Sequence, residues 1–278
     1  MSEQIKFALN HITAPALDSR QFVDLAARLG CMGVELRNDL ADKELTSRAF
    51  FDGARPADVG KYAREKGIRL LGLSEVYGFN RWSEAMREKV ELLISQAKES
   101  GAETISLIPS NDGVDEPTEQ RLAGLRNALA AILPMLEEQD LVGLVEPLGF
   151  TTSSLRLKRE AVDAFEAVGG KDRFRLVHDT FHHHLADETE FFPQWTGIVH
   201  ISGVVDASLR PEDMQDKHRI LVTEADRLGN VEQIKHLNTV GYQGAYSFEL
   251  FSPLVHADPN IEIGLRTSMD VIKAALRN

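Results

Sequence analysis

Four ionisable residues stand in short, apolar, strand-like surroundings: Glu146 in Leu-Val-Glu-Pro, Asp179 in Val-His-Asp-Thr-Phe-His, His200 in Ile-Val-His-Ile and Glu249 in Ser-Phe-Glu-Leu-Phe. Ionisable side chains among strand-forming apolar residues are costly to bury unless paired or bound to a cation. Taken singly, each reads at least as well as a strand-end group in a structural hydrogen bond or salt bridge. Taken together they offer three carboxylates and an imidazole. That mostly oxygen donor set suits Mn²⁺ or Mg²⁺, with Zn²⁺ and Co²⁺ as alternatives. Three crowded carboxylates raise one another's pKa, and a divalent cation relieves the repulsion.

The first half of the chain places further polar residues at similar points. Asn10 and His11 close one apolar run, Glu35 and Arg37 lie in the next, and Glu75 nears the end of a third. The run His178-Asp-Thr-Phe-His-His-His184 supplies four histidines. His183 and His184 read as solvated loop residues, whereas His182, just beyond Asp179, is better placed to reach a site. His178 and His182 have the spacing of helical zinc pairs, but their surroundings read as strand and no His-Glu-x-x-His occurs. Gly169-Gly170 reads as a helix-to-strand turn, and nothing matches a phosphate-binding loop. Gly72-Leu-Ser-Glu-Val76 lacks the second glycine of a nucleophile elbow.

The elements that must position these residues follow from hydrophobic periodicity. Eight strand candidates span Ile5–His11, Gly33–Asn38, Arg69–Val76, Thr104–Ser110, Leu141–Gly149, Phe174–His182, Gly197–Gly203 and Ala245–Phe251. Between them the apolar spacing becomes helical, as in Phe22, Leu25, Ala26 and Leu29, or Met86, Val90, Leu93 and Ala97. Leu122 through Leu136 form a third stripe, and Leu265, Met269, Ile272 and Leu276 a closing helix. Glycines 30, 67, 101, 169 and 241 fall where helices should end, and Pro134 is expected to kink or end the fourth helix. Long stretches follow the second strand (Asp39–Asp58) and the seventh (Val204–Asn230), where barrel enzymes carry substrate-binding insertions. Eight βα units in 278 residues predict one (β/α)₈ TIM barrel domain over residues 1–278. Glu146, Asp179, His200 and Glu249 then come from consecutive units and converge on one mouth.

Composition narrows the partners. A formal charge of -12 disfavours a protein that binds by neutralising phosphates, so no nucleic acid is expected. Cys31 is the only cysteine, which leaves no disulfide framework and suits a reducing cytoplasm. The residues Met1–Lys6 lack the apolar stretch of a signal peptide, and no later run approaches the roughly 18 apolar residues of a membrane span. The expected partners are a small molecule and further copies of the chain in a homo-oligomer.

The segments Gly143-Leu-Val-Glu-Pro-Leu-Gly149, Leu176-Val-His-Asp-Thr-Phe-His182, Ile198-Val-His-Ile201 and Ser247-Phe-Glu-Leu-Phe251 resemble the xylose-isomerase-like TIM barrel superfamily. The group includes inosose isomerases, ketose 3-epimerases, hydroxypyruvate isomerases, dehydroshikimate dehydratases and endonuclease IV. Phe7-Ala-Leu-Asn-His11 and Gly33-Val-Glu-Leu-Arg37 extend the likeness over nearly the whole chain. The resemblance implies a polyol or ketose as the small molecule, and one divalent ion on Glu146, Asp179, His200 and Glu249. Glu146 and Glu249 would also exchange the proton, with His182 beside the reacting oxygens. Arg219, His11 and Glu75 are expected to bind substrate. Arg219 is the nearest match to the family's arginine after the histidine strand, although the usual Pro-Gly-rich loop is absent and Arg227 competes with it.

The Phe-Glu-Leu-Phe ending and the Leu-Asn-His start look most like 2-keto-myo-inositol (inosose) isomerases. The implied chemistry is α-proton transfer through an enediolate. A ketose 3-epimerase or a dehydroshikimate-type dehydratase on the same metal site is the alternative. An endonuclease IV type would need more metal ligands and a grip on phosphate, which the charge disfavours. A non-catalytic sugar-binding protein would leave the strand-end carboxylates without a purpose.

Overall fold

A computed structural model describes residues 5–277; Met1–Gln4, part of the segment read above for a leader, and Asn278 lie outside the described residues. Eight parallel strands close into a barrel in sequence order: β1 (Phe7–Asn10), β2 (Gly33–Arg37), β3 (Arg69–Tyr77), β4 (Thr104–Ile108), β5 (Val142–Val145), β6 (Phe174–Asp179), β7 (Thr196–Ile201) and β8 (Tyr246–Phe248). Around them run α1 (Ser19–Leu29), α2 (Pro56–Glu65), α3 (Glu84–Ser100), α4 (Thr118–Gln139), α5 (Lys158–Ala167), α6 (Thr180–Ala186), α7 (Asn230–Thr239), α8 (Pro253–His256) and α9 (Ile261–Arg277). The (β/α)₈ architecture read from the sequence is the one observed.

Strand alternation divides each strand between two environments. Outward residues such as Leu9, Val34, Val145, Leu176, Val199 and Phe248 join the helices in the main core. Inward residues Ala8, Leu71, Leu144, Val177, Ile198 and Ala245 form a separate small cluster inside the barrel. Two residues further along β1, β5, β6 and β7 stand Asn10, Glu146, Asp179 and His200, and four beyond Ala245 stands Glu249. The period of two therefore sets a polar layer directly above an apolar plug. It also turns His178 outward, away from the layer.

The helices pack as their stripes predict. Phe22, Leu25, Ala26 and Leu29 are buried on α1, and Leu125, Leu129, Ile132 and Leu136 on α4. Gly30 and Gly101 end α1 and α3 in the left-handed region, at φ 71° and 75°, where a side chain would be strained. Pro134 does not end α4, which continues to Gln139. The proline faces solvent, where the freed carbonyl can be hydrated, while Ile132 and Leu136 on either side keep the helix against the core. Residues 180–182, read as the end of a strand, begin α6. Among the described residues no helix is long and apolar enough to cross a membrane.

Candidate metal centre and active site

Barrel closure brings Glu146, Asp179, His200 and Glu249 together: one ligand atom from each lies within 4.8 Å of the others, and all four residues are buried. Register places Asp179 beside His200 on adjacent strands. Asp179 also caps α6, with Oδ1 accepting the backbone N–H of Phe181 (2.7 Å) and His182 (3.0 Å). One carboxylate oxygen is thus spent on the helix terminus, and Oδ2 faces the cluster.

His200 is oriented from behind. Its Nε2 lies 3.1 and 3.2 Å from the two oxygens of Glu35, whose Oε1 also accepts the Ser247 hydroxyl at 2.6 Å. With Nε2–H donated to Glu35, Nδ1 points its lone pair into the cluster, 3.2 Å from Glu249 Oε2 and 3.7 Å from Glu146 Oε1, without a hydrogen bond to either. A carboxylate behind a histidine is the usual support of a metal-binding imidazole. The donor set and this orphaned buried nitrogen fit a divalent cation. In the metal-free site burial pulls the His200 pKa down, but the charges of Glu249 and Glu35 outweigh it and hold the ring well above the ordinary imidazole range.

The two glutamates differ sharply. Glu249 Oε1 accepts from Asn10 Nδ2 (3.2 Å) and Arg37 Nη1 (3.0 Å), and its Oε2 accepts from Arg219 Nη2 (2.8 Å). Burial works to raise its pKa, yet His200, Arg219 and Arg37 hold it well below the carboxylate range. Among the described residues no hydrogen-bond donor reaches the Glu146 carboxylate; its nearest basic groups are His200 and, at 4.0 Å, the Nε2 of His182, whose pKa burial lowers. Burial first, and then the charge of Glu249, push Glu146 up to about 7.

Of the other residues singled out from the sequence, Arg219 joins the cluster. Its Nη2 bridges Asp179 Oδ2 (2.5 Å) and Glu249 Oε2 (2.8 Å), its Nε donates to Ser202 Oγ (3.0 Å), and the guanidinium lies against the rings of Phe181 and Phe251. Arg227 instead binds the carbonyls of Asp206 and Leu209 within its own loop. Glu75 is tied to the site through Arg37 Nη2 at 2.9 Å. His182 is buried beside Glu146 and packs edge-on against Phe150 and Phe181. His11 is not brought into the cluster: its ring stacks on Phe22 and its Nε2 meets the Leu17 carbonyl at 3.0 Å. His183 is not solvated but buried, with Nδ1 2.6 Å from Lys158 Nζ, and His184 is half-buried. His178 bonds Gln233 on α7, as its outward position requires.

Glu35 and Arg37 were noted in the sequence without a role. The available signal was their alternation with Val34 and Leu36, which puts both charges on the inner face.

The family model for the xylose isomerase-like TIM barrel matches residues 23–275. The chain belongs to this family. A xylose isomerase domain-containing protein from Salmonella typhimurium LT2 has a similar structure, with a TM-score of 0.88, 31% identity, and 100% of this chain and 99% of that one covered. The IolI protein solved with a zinc atom superimposes with a TM-score of 0.81 at 18% identity, covering 98% of each chain. D-Psicose 3-epimerase from Clostridium cellulolyticum H10, solved with D-tagatose, does so with a TM-score of 0.72 at 14% identity, over 98% of this chain and 99% of that one. At such identities the last two likenesses establish the fold alone. No curated protein sequence matches the chain.

Proposed function

We propose that this protein is a divalent-metal-dependent isomerase that interconverts keto-inositols by moving an α-proton through an enediolate. The observation that carries this reading is the contrast between two glutamates in one metal-fitting cluster. Glu249 is clamped by N–H donors from Asn10, Arg37 and Arg219, while among the described residues no donor reaches the Glu146 carboxylate, which leaves Glu146 the freer of the two to take up a proton. A carboxylate that accepts no N–H is the one whose lone pairs remain open to a carbon-bound proton.

Glu146, Asp179, His200 and Glu249 would hold the ion; the oxygen-rich set favours Mn²⁺ or Mg²⁺, and the zinc named for IolI keeps Zn²⁺ among the candidates. When bound, the cation polarises the carbonyl of an α-hydroxy ketone and acidifies the adjacent C–H. Glu146 accepts the carbon-bound proton in its ionised form and returns it as the acid. Glu249 is the second carboxylate able to exchange with the neighbouring carbon. His182 can donate a hydrogen bond to the oxyanion that develops on the substrate, and the one Arg219 N–H not taken by Ser202, Asp216, Asp179 or Glu249, on Nη1, can add a second. Glu75 accepts a hydrogen bond from a more distant hydroxyl.

The charge balance supports an uncharged polyol ketone over a carboxylated substrate such as dehydroshikimate. The two guanidiniums that reach the cluster are already engaged: Arg37 by Asp39, Glu75 and Glu249, Arg219 by Asp179, Asp216 and Glu249. A ketose 3-epimerase would use the same groups and differ only in the carbon that receives the proton. The family membership and its named epimerase neighbour support an enzyme of this general kind.

The test is an NMR assay of deuterium exchange and product identity in D₂O over inososes, ketoses and dehydroshikimate. It is run on chelator-stripped protein with and without added Mn²⁺, Mg²⁺, Co²⁺ or Zn²⁺. Metal-dependent exchange with inosose isomerisation supports the proposal. Exchange that persists without metal would overturn the mechanism, and turnover confined to dehydroshikimate would overturn the substrate.

A further inference from the structure

We infer that Arg37 is a positioning residue that fixes Glu249 so that it meets the cation through a single oxygen, Oε2. The inference rests on the metal-site reading above. It begins with the donors around one carboxylate. Glu249 Oε1 receives Asn10 Nδ2 at 3.2 Å and Arg37 Nη1 at 3.0 Å, which fills the two lone pairs of that oxygen. Oε2 is the atom that stands 3.2 Å from His200 Nδ1, within the ligand cluster.

Arg37 is itself held on every side. Its Nε and Nη2 form a two-point fork with Asp39, at 2.8 and 2.6 Å, and Nη2 also meets Glu75 Oε2 at 2.9 Å. The guanidinium lies over the Phe251 ring, and the side chain is 3% exposed. A planar fork anchored by two partners has little freedom left, so its remaining N–H group defines where Glu249 Oε1 must sit. Asp39 follows β2 directly, Glu75 comes from β3 and Glu249 follows β8. Arg37 therefore ties the first strands of the barrel to the last ligand across a separation of 212 residues.

Lysine at this position keeps the charge but, as a point donor, cannot span Asp39, Glu75 and Glu249 together. Methionine keeps the bulk and loses both. Released from Arg37, Glu249 keeps Arg219 on Oε2 but only the neutral Asn10 amide, at 3.2 Å, on Oε1, so the plane of its carboxylate is no longer fixed from that side. Loss of a group that orients a ligand typically weakens metal binding 10–100-fold.

The experiment titrates chelator-stripped wild type, Arg37→Lys, Arg37→Met and Arg48→Lys with Co²⁺ against a chromophoric chelator, recording the visible Co²⁺ spectrum and the unfolding midpoint. Arg48, in the loop that follows β2, binds Asp52 and the carbonyls of Pro15 and Leu17, so its variant reports a merely structural loss. Both Arg37 variants should bind Co²⁺ about 10–100-fold more weakly with an altered spectrum, while Arg48→Lys binds as wild type does. Folded Arg37→Lys with wild-type affinity and spectrum would overturn the inference. Should Arg37→Met fail to fold, with Glu75 left without its ion-pair partner and Asp39 and Glu249 each short of one, the lysine variant decides. Wild type that takes up no Co²⁺ would instead overturn the metal assignment, a separable outcome.

Discussion

Replacing Glu35 with glutamine keeps the volume behind His200 and removes only a charge. Glu35 is 1% exposed and receives His200 Nε2 at 3.1 and 3.2 Å and Ser247 Oγ at 2.6 Å. The amide oxygen of glutamine can still accept one of these donors, but its NH₂ then faces the other. Both the ring orientation and the basicity that a carboxylate lends to Nδ1 are weakened. Supporting groups of this kind are worth about 10–100-fold in metal affinity, or about 1.4–2.7 kcal/mol. Ser247→Ala leaves the Glu35 carboxylate against His200 and removes only one donor behind it, so its loss of affinity should fall below about 10-fold, the lower end for a supporting group. Competitive Co²⁺ titration of the stripped proteins gives both numbers. Glu35→Gln should therefore bind more weakly than Ser247→Ala, and each more weakly than wild type. Wild-type affinity in a folded Glu35→Gln protein would show that His200 is not held as a ligand from this side.

Glu146→Gln should preserve the fold and nearly abolish α-proton exchange by NMR; full retention would remove Glu146 from the mechanism. Its pKa, raised to about 7 from 4.5, also makes metal-free stability depend on pH. The stabilising contribution is fully present below pH 4.5 and is lost as pH rises through about 7, so chelated Glu146→Gln should gain on wild type across that window in urea unfolding, and a parallel pH dependence would refute the shift. His11 is displaced the opposite way, lowered from 6.5 to about 4 chiefly by burial. Its contribution is present above pH 6.5 and lost as pH falls to about 4, amounting to roughly 3 kcal/mol. His11→Phe, which can keep the stack on Phe22, should flatten that acid loss in unfolding measurements; an unchanged slope would assign it elsewhere. Gly60→Ala places a methyl 1.8 Å from the Ser100 carbonyl oxygen. α2 must then move off α3, at a cost of about 1–3 kcal/mol that outweighs the better helix propensity, and a stabilised variant would contradict that packing.

What the sequence revealed and concealed divides along the range of the interactions. Strand alternation and helical period are local, so eight strands, their order and the inward facing of Glu146, Asp179 and His200 could be read directly. Cation-fitting donors at successive strand ends needed only barrel closure to meet. The partners of those donors depend on which residues closure sets opposite each other, and no spacing encodes that. Glu35 reaches His200 across 165 residues and Arg37 reaches Glu249 across 212. The histidine run shows the same limit from the other side. Its polarity suggests solvent at His183, but Lys158 on α5 and Glu188 bury the imidazole in an ion-paired pocket that only the fold supplies. Arg219 was placed by likeness alone, since its loop lacks the family's glycines. In the structure a short antiparallel bridge between Gly203 and Ile220, and the Ser252 N–H bonded to the Arg219 carbonyl, fix the turn instead. The place of the guanidinium is set by the two buried negative charges of Asp179 and Glu249 and by the aromatic slot of Phe181 and Phe251, none of which depends on glycines in the loop that carries Arg219.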